Sequence, residues 1–478
     1  MKFAHKLLKQ FMAVLAFMLL SLVHATDTTA GKKIEPEEVW ITIFIHGIIN
    51  IKPHLSVSNL IRFMRDQITD SIYARAVEIM RKDPFFYQFY AMQGLGLQKI
   101  DILLTTPGHA SGAFAIAYDA FNALNTLNPH QKNIFYTFGW SGLLSTQIRY
   151  QEAALFYEQL ETEIIEYRKL GINPKVRVIG YSHGGHVTLN VGAYFNNLIS
   201  HKCDTTSNNS KLTENHTTAD NKSNPSNPGD DTALNKKWTI DELVLIGVPI
   251  ISDTDFLISS PLFKKVYHFY SPGDRVQVVD CLATNRFFSH RIFNPRIGFF
   301  LPDNLTQIQL RFKRIARTNF ARNGCKHHTK HYPPKLLRNA DPGHTELWSF
   351  GWTAGYRQYL PFYPFPAGAY IGYIINALSQ CEPFGNHVVV DIHPFENSMM
   401  IKDLTSKKRA VASFPSEQEH KDVVARITPF IPTHCSKQMY EQKAQEAQHS
   451  AHEQKKEERN QRRNTRIKNK SFSHRKSL

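Results

Sequence analysis

The stretch Val176-Arg-Val-Ile-Gly180-Tyr181-Ser182-His183-Gly184-Gly185-His186 constrains the folding of this chain more than any other. A β-branched run passes through G-x-S-x-G into a segment whose Val187, Leu189, Val191 and Tyr194 predict an apolar-faced helix. A serine between strand and helix with so little chain to turn in must take strained dihedrals. Glycine on either side lets neighbouring backbone approach closely. Such a turn pushes the serine Oγ clear of the sheet and aims the N-terminus of the next helix at any negative charge developing there.

The rest of the chain fits this unit into a larger pattern. Short β-branched and aromatic runs occur at Val39–Ile45, Ile134–Phe138, Leu243–Gly247, Val266–Tyr270 and Ile308–Phe312, besides the one ending at Gly180. Longer helical patterns alternate with them, which predicts an α/β fold with a mostly parallel central sheet and crossover helices. Between Arg149 and Arg168, Ala153, Phe156, Tyr157, Leu160, Ile164 and Tyr167 recur at helical spacing, and Gly171 is the expected stop. About 88 residues separate the first run from the second, with helical stretches at Leu60–Met80 and Ala113–Leu127. That is more than a crossover needs, so a helical insertion is expected after the first strand.

On these residues the chain resembles the α/β-hydrolase superfamily of lipase- and esterase-like serine hydrolases, over most of residues 38–350. Gly180-Tyr181-Ser182-His183-Gly184 resembles that family's nucleophile elbow, and Ile41-Thr-Ile-Phe-Ile-His46-Gly47 its oxyanion-hole strand. The resemblance implies Ser182 as nucleophile and the backbone amides of Ile48 and His183 as the oxyanion hole. A serine hydroxyl needs a base to take its proton and an acid to orient that base. In the family's order of Ser, acid, His, the acid is expected at Asp274, in the Ser-Pro-Gly-Asp turn after Val266–Tyr270, with Asp253, Asp255 and Asp280 as rivals. The base is expected at His344, in the Asp-Pro-Gly-His loop downstream of Ile308–Phe312, ahead of His387 and His393. His183 and His186 sit on the elbow itself, poorly placed to face the serine. The implied activity is carboxylic ester cleavage through an acyl-enzyme, on an acyl-ester substrate that could be a lipid. Acyl transfer, thioester or amide cleavage on the same fold, or a binding protein that lost the chemistry, stay open.

Composition sets the remaining bounds. A hydrophobic fraction of 42% over 478 residues is ample for a core. The formal net charge is +16, and residues 436–478 alone carry twelve Lys/Arg against five Glu. This tail is expected to be disordered or a solvated helix that could touch anionic surfaces, and no specific nucleic acid is expected. Lys2, Lys6 and Lys9, the apolar stretch Phe11–Val23 and Val23-His24-Ala25 read as a signal peptide over residues 1–25, hence an exported protein. No later segment offers 18 clean apolar residues, so the mature protein is expected to be soluble. The domain is expected over residues 38–400, with a disordered polar insertion at 201–237 and a C-terminal extension at 401–435. Five cysteines, an odd number, leave any pairing open. Cys325-Lys-His327-His328-Thr-Lys-His331 has a spacing that can hold zinc, but its lysines and Tyr-Pro-Pro flank read as an exposed basic loop. No metal or cofactor is expected. The aromatic-rich stretch Trp348–Leu378 is expected to be core and turn packing, with an acyl pocket or lipid contact as the other reading.

Overall fold

The computed structural model describes residues 38–49, 66, 68–88, 91–102, 109–126, 131–209, 237–279, 289–312, 341–350, 365–381, 384–394, 396–430 and 437–476. Ten strands form one sheet: β1 (Glu38–Ile45), β2 (Gly96–Lys99), β3 (Gln131–Gly139), β4 (Lys175–Tyr181), β5 (Ile240–Ile246), β6 (Phe263–Tyr270), β7 (Leu305–Phe312), β8 (His387–His393), β9 (Ser398–Asp403) and β10 (Arg409–Ser413). Their order across the sheet is β10-β9-β8-β7-β6-β5-β4-β1-β3-β2. The seven strands from β8 to β3 are mutually parallel, and β2, β9 and β10 pair antiparallel at the two edges. The expected α/β fold with a mostly parallel sheet is the observed one.

Burial on both faces explains why the parallel strands read as nearly continuous apolar runs. Ile41, Ile43 and Ile45 of β1 point to one face, against Ala153, Phe156 and Leu160 of α3 (Thr146–Lys169) and Val187 and Val191 of α4 (Gly184–Asn209). Phe44 points to the other, with its ring centroid 4.8 Å from Phe114 of α2 (Ala110–Leu124). That second face is also covered by α1 (Ile72–Lys82), α5 (Ile371–Gln380) and α6 (Glu417–Ile427). Helix α3 begins at Ser145, whose Oγ accepts from the Ile148 amide, and it ends at Gly171 in the left-handed region (φ 77°).

Several expectations change. Sheet and helices continue past residue 400: β9 spans that boundary, and β10 and α6 belong to the same compact unit. Helix α4 runs to Asn209, so the first nine residues of the polar insertion are helical; residues 210–236 lie outside the described ones. A helix nucleated on the buried residues 184–192 adds one hydrogen bond for each residue it extends, which poor helix formers can still follow. The tail is one helix, α7 (Lys437–Lys476), and its first turns are packed rather than solvated. Tyr440, Ala444, Ala447 and Ala451 are buried along α1, with the Tyr440 ring edge-on to Phe86 at 5.2 Å. Trp348, Phe350, Phe365, Tyr370 and Tyr373 are core residues, as the packing reading of that stretch expects. Residues 1–37 and 325–331 lie outside the described ones. Among the described residues no helix is long and apolar enough to cross a membrane, and no group of His, Cys, Asp and Glu is arranged to hold a metal. Of the five cysteines only Cys381 has a described side chain, and it is a free thiol.

Candidate active site

The chain winds from β1 outward to β3, returns to β4 on the other side of β1, and then winds the opposite way through β5 to β8. The carboxyl ends of β1 and β4 therefore flank a switch point, the place where open parallel sheets form a crevice. Ile45 of β1 lies beside Gly180 of β4 in the register, so His46-Gly47-Ile48 leaves the sheet next to Ser182.

Ser182 has φ 51°, a left-handed conformation that is costly for a residue with a Cβ. It is held there from both sides: its amide donates to Ile246 O of β5 at 2.9 Å, and its carbonyl accepts from the Gly185 amide at 2.9 Å. The β1 loop packs onto the elbow so closely that side chains are excluded. A Cβ on Gly47 would lie 2.8 Å from Ser182 Cβ, and one on Gly184 would lie 2.3 Å from the His46 carbonyl oxygen.

Two loops from distant parts of the chain complete the site. His344 Nε2 is 2.9 Å from Ser182 Oγ, and His344 Nδ1 is 2.7 Å from Asp274 Oδ2. A carboxylate can only accept, so Nδ1 carries the hydrogen and the Nε2 lone pair is left to accept from the serine hydroxyl. Asp274 is fully buried, and its other oxygen accepts from the amides of Val276 (2.9 Å) and Gln277 (3.3 Å), at the start of the single helical turn Val276–Val279. Ser182 is 1% exposed, so the hydrogen-bonded chain from Asp274 to Ser182 lies in a poorly solvated setting where its polarity counts for more. An acid–base–hydroxyl chain of this kind can activate the hydroxyl for attack on an electrophilic carbon.

The structure thus brings Ser182, His344 and Asp274 together, and the rival residues are engaged elsewhere. Asp255 is paired with Arg296, while Asp280 lies outside the described residues. Both ring nitrogens of His344 are taken, Nδ1 by Asp274 and Nε2 by Ser182, ahead of Asp253. His387 Nε2 sits 2.6 Å from the Tyr270 hydroxyl, and His393 Nδ1 3.0 Å from Glu396. His186 turns into the interior, with Nδ1 2.9 Å from Thr254 Oγ1. Ile48 and His183, whose amides are the expected oxyanion donors, directly follow Gly47 and Ser182, at the ends of neighbouring strands.

Three further contacts position this machinery. The Tyr181 hydroxyl donates to the His344 carbonyl at 2.9 Å, while its ring stacks on Trp348 with centroids 5.2 Å apart. Trp140, just beyond β3, donates from its indole to the His46 carbonyl at 2.7 Å, fixing the β1 loop from outside. Arg149, buried in the first turn of α3, donates to His183 Nδ1 at 2.7 Å, which places the hydrogen of that imidazole on Nε2. Burial, and then the charge of Arg81, holds His46 well below the usual imidazole range, so it is neutral.

No protein-family model matches this chain, and neither a curated protein nor a solved structure does.

Gly247, at the end of β5, gives a direct test of how tightly the acid and the imidazole are held. Its φ is 58°, and a Cβ there would lie 3.1 Å from Asp274 Oδ2 and 2.9 Å from Leu347 Cδ1. Gly247→Ala is expected to displace the dyad and, if the site turns over the acyl ester that the sequence resemblance implies, to slow it roughly 10²-fold, the size of effect that a misplacement near 1 Å can have. Steady-state kinetics beside far-UV circular dichroism checks this. Unchanged kinetics in a folded variant would show that the end of β5 does not set the dyad's position.

Proposed function

We propose that the protein is an exported serine hydrolase of the α/β-hydrolase fold that cleaves carboxylic esters. The observation that carries this reading is the hydrogen-bonded order Asp274–His344–Ser182, ending on a serine in left-handed conformation between a parallel strand and a helix. Also in its favour is where the three residues stand: Ser182 follows β4, Asp274 follows β6 and His344 follows β7, the chain order of nucleophile, acid and base in that fold.

In the proposed mechanism His344 Nε2 takes the hydroxyl proton as Ser182 Oγ attacks the acyl carbonyl. The imidazolium that forms is stabilised by Asp274. The amides of Ile48 and His183 donate to the tetrahedral oxyanion, whose negative charge also faces the N-terminus of α4. His344 then protonates the leaving alkoxide, giving the acyl-enzyme, and a water activated by the same imidazole releases the acid. Electrostatic stabilisation by preformed amides is the largest single contribution in such sites, and removing one donor costs about 10²–10³-fold in turnover.

The test is covalent labelling of the purified protein with a fluorophosphonate probe, located by peptide mass spectrometry. The expected result is modification of Ser182, absent in Ser182→Ala and strongly slowed in His344→Ala. A folded wild-type protein that hydrolyses no acyl ester and takes no label would overturn the reading in favour of a binding protein that retains the elbow.

A further inference from the structure

Helix α7 divides into two halves of different chemistry at Glu458. The first half, Lys437–Glu458, is docked. Its small apolar stripe lies along α1, Glu458 receives both guanidinium nitrogens of Arg75 (2.5 and 2.7 Å), and Lys455 Nζ donates to the Asp70 carbonyl at 2.6 Å. In this half four lysines face five glutamates, close to neutral. Beyond Glu458 every side chain described, from Arg459 to Ile467, is exposed, and the helix continues to Lys476. These 18 residues extend about 27 Å from the last tether. They carry eight Lys/Arg and no Asp or Glu.

Such a segregation is costly for a free helix, because like charges three and four residues apart repel. The charge is also directional. Within residues 459–467, at about 100° per residue, the four arginines Arg459, Arg462, Arg463 and Arg466 fall within an arc of about 100°, with Ile467 at its edge, while Asn460, Gln461, Asn464 and Thr465 form the opposite, uncharged side of those turns. The four arginines and Ile467, which is 57% exposed, line one shallow concavity of about 360 Å³. Over these turns one basic face backed by a neutral polar one matches a flat polyanion. A duplex groove would wrap more of the circumference, and residues 459–467 offer no apolar face able to insert into a bilayer.

We propose that the projecting half of α7 is an electrostatic arm that docks the enzyme on an anionic phospholipid surface, with Arg459, Arg462, Arg463 and Arg466 against the headgroup phosphates. Guanidinium suits this role because its planar fork bonds phosphate oxygens in pairs, and four to eight cationic side chains on one helix suffice for such adsorption. The arm does not depend on the hydrolase reading, since it shares no residue with the Ser182 site.

The experiment is flotation of the full-length Ser182→Ala protein, which cannot consume lipid, with vesicles of phosphatidylcholine alone or mixed with phosphatidylglycerol. Binding is expected to the mixed vesicles only and to fall as salt rises. Replacing all four arginines by glutamine is expected to weaken it on the order of 10²–10³-fold, about fivefold for each charge withdrawn from the surface. Replacement of all four by lysine retains most of it. Equal binding by wild type and the glutamine variant would overturn the proposal, as would loss in the lysine variant as deep as in the glutamine one. So would a folded wild type that ignores phosphatidylglycerol, or one that duplex DNA at equal phosphate concentration strips from the vesicles.

Discussion

Ser182→Gly is expected to be inactive and, at the same time, more stable than Ser182→Ala by about 1 kcal/mol. Both variants lose the hydroxyl that the proposed mechanism needs, and turnover of an acyl ester should fall by about 10⁴–10⁶-fold in each. They differ in the backbone. At φ 51° any residue with a Cβ crowds the following carbonyl, at a cost of about 1–2 kcal/mol. Glycine escapes that cost and gives back part of the gain, about 0.4–1 kcal/mol, through the greater freedom of its unfolded chain. In an ordinary strand or helix the order is reversed, and glycine is the weaker residue by about 0.5–1 kcal/mol. Thermal unfolding of wild type, Ser182→Ala and Ser182→Gly therefore reads the strain at the elbow directly. A glycine variant less stable than the alanine one would mean that Ser182 is not held in the left-handed region, which would remove the geometric basis of the proposed nucleophile.

That strain is local, which is why the elbow is legible in the sequence. Glycine at 180, 184 and 185 around a serine, between a β-branched run and an apolar helix, has few other uses. Asp274 is legible for a related reason: it follows β6 directly through a Pro-Gly turn, and such turns end strands where parallel sheets place their loops, while His344 is marked by a second Pro-Gly pair downstream of β7. The contacts that hold these residues are not legible in the same way. Arg149 counts in the sequence only as the start of an amphipathic helix, and Tyr181 only as the variable residue of a motif. Their polar ends acquire meaning once β4 and α3 are packed, because His183 and the His344 carbonyl come from other segments. Trp140 and His46 lie 94 positions apart and meet only because β1 and β3 are neighbours in the sheet.

The missed elements share a physical cause as well. Strand β2 has four residues, Gly-Leu-Gln-Lys, and borrows its order from β3 alone. Strand β10 alternates exposed and half-buried residues at the edge of the sheet, so no continuous apolar run marks it. In α7 the docking stripe is Tyr440, Ala444, Ala447 and Ala451, spaced at four, three and four residues. Alanine contributes little to a hydrophobicity reading, and the surrounding charges conceal a helical period that buries one face against α1. The tail therefore looks solvated in sequence although half of it is packed.

Acid is expected to unfold the protein well above the pH at which carboxylates titrate, because three buried histidines must charge when the chain unfolds. His46, His186 and His268 are each at most 1% exposed. Burial keeps all three neutral: His46 and His186 are held well below the ordinary 6.5, with the nearby Arg81 and Arg149 charges adding to the effect, and His268 is pushed down to about 3. In the unfolded chain each binds a proton near its ordinary value. Below pH 6.5 the unfolded state thus holds more protons than the native one, and stability is lost as pH falls from that value toward the native pKa values. Each histidine removes about 1.4 kcal/mol per pH unit, so three remove about 4. Toward pH 5 this loss becomes a sizeable share of the stability of an ordinary fold, about 5–15 kcal/mol. The half-buried carboxyls of Asp119 and Glu152 act in the opposite direction, since burial raises their pKa values and acid relieves them, but among the described residues only these two oppose the three histidines. His109, His387 and His420, shifted down by partial burial, add to the loss. Thermal midpoints measured from pH 8 to pH 5 should stay level above pH 7 and fall steeply below 6.5, and His268→Phe, between the rings of Tyr270 and Phe293, should make the fall shallower. A midpoint unchanged between pH 7.5 and pH 5 would show that these imidazoles reach water or counter-charges in the native protein and that the close packing around the elbow is looser than its geometry implies.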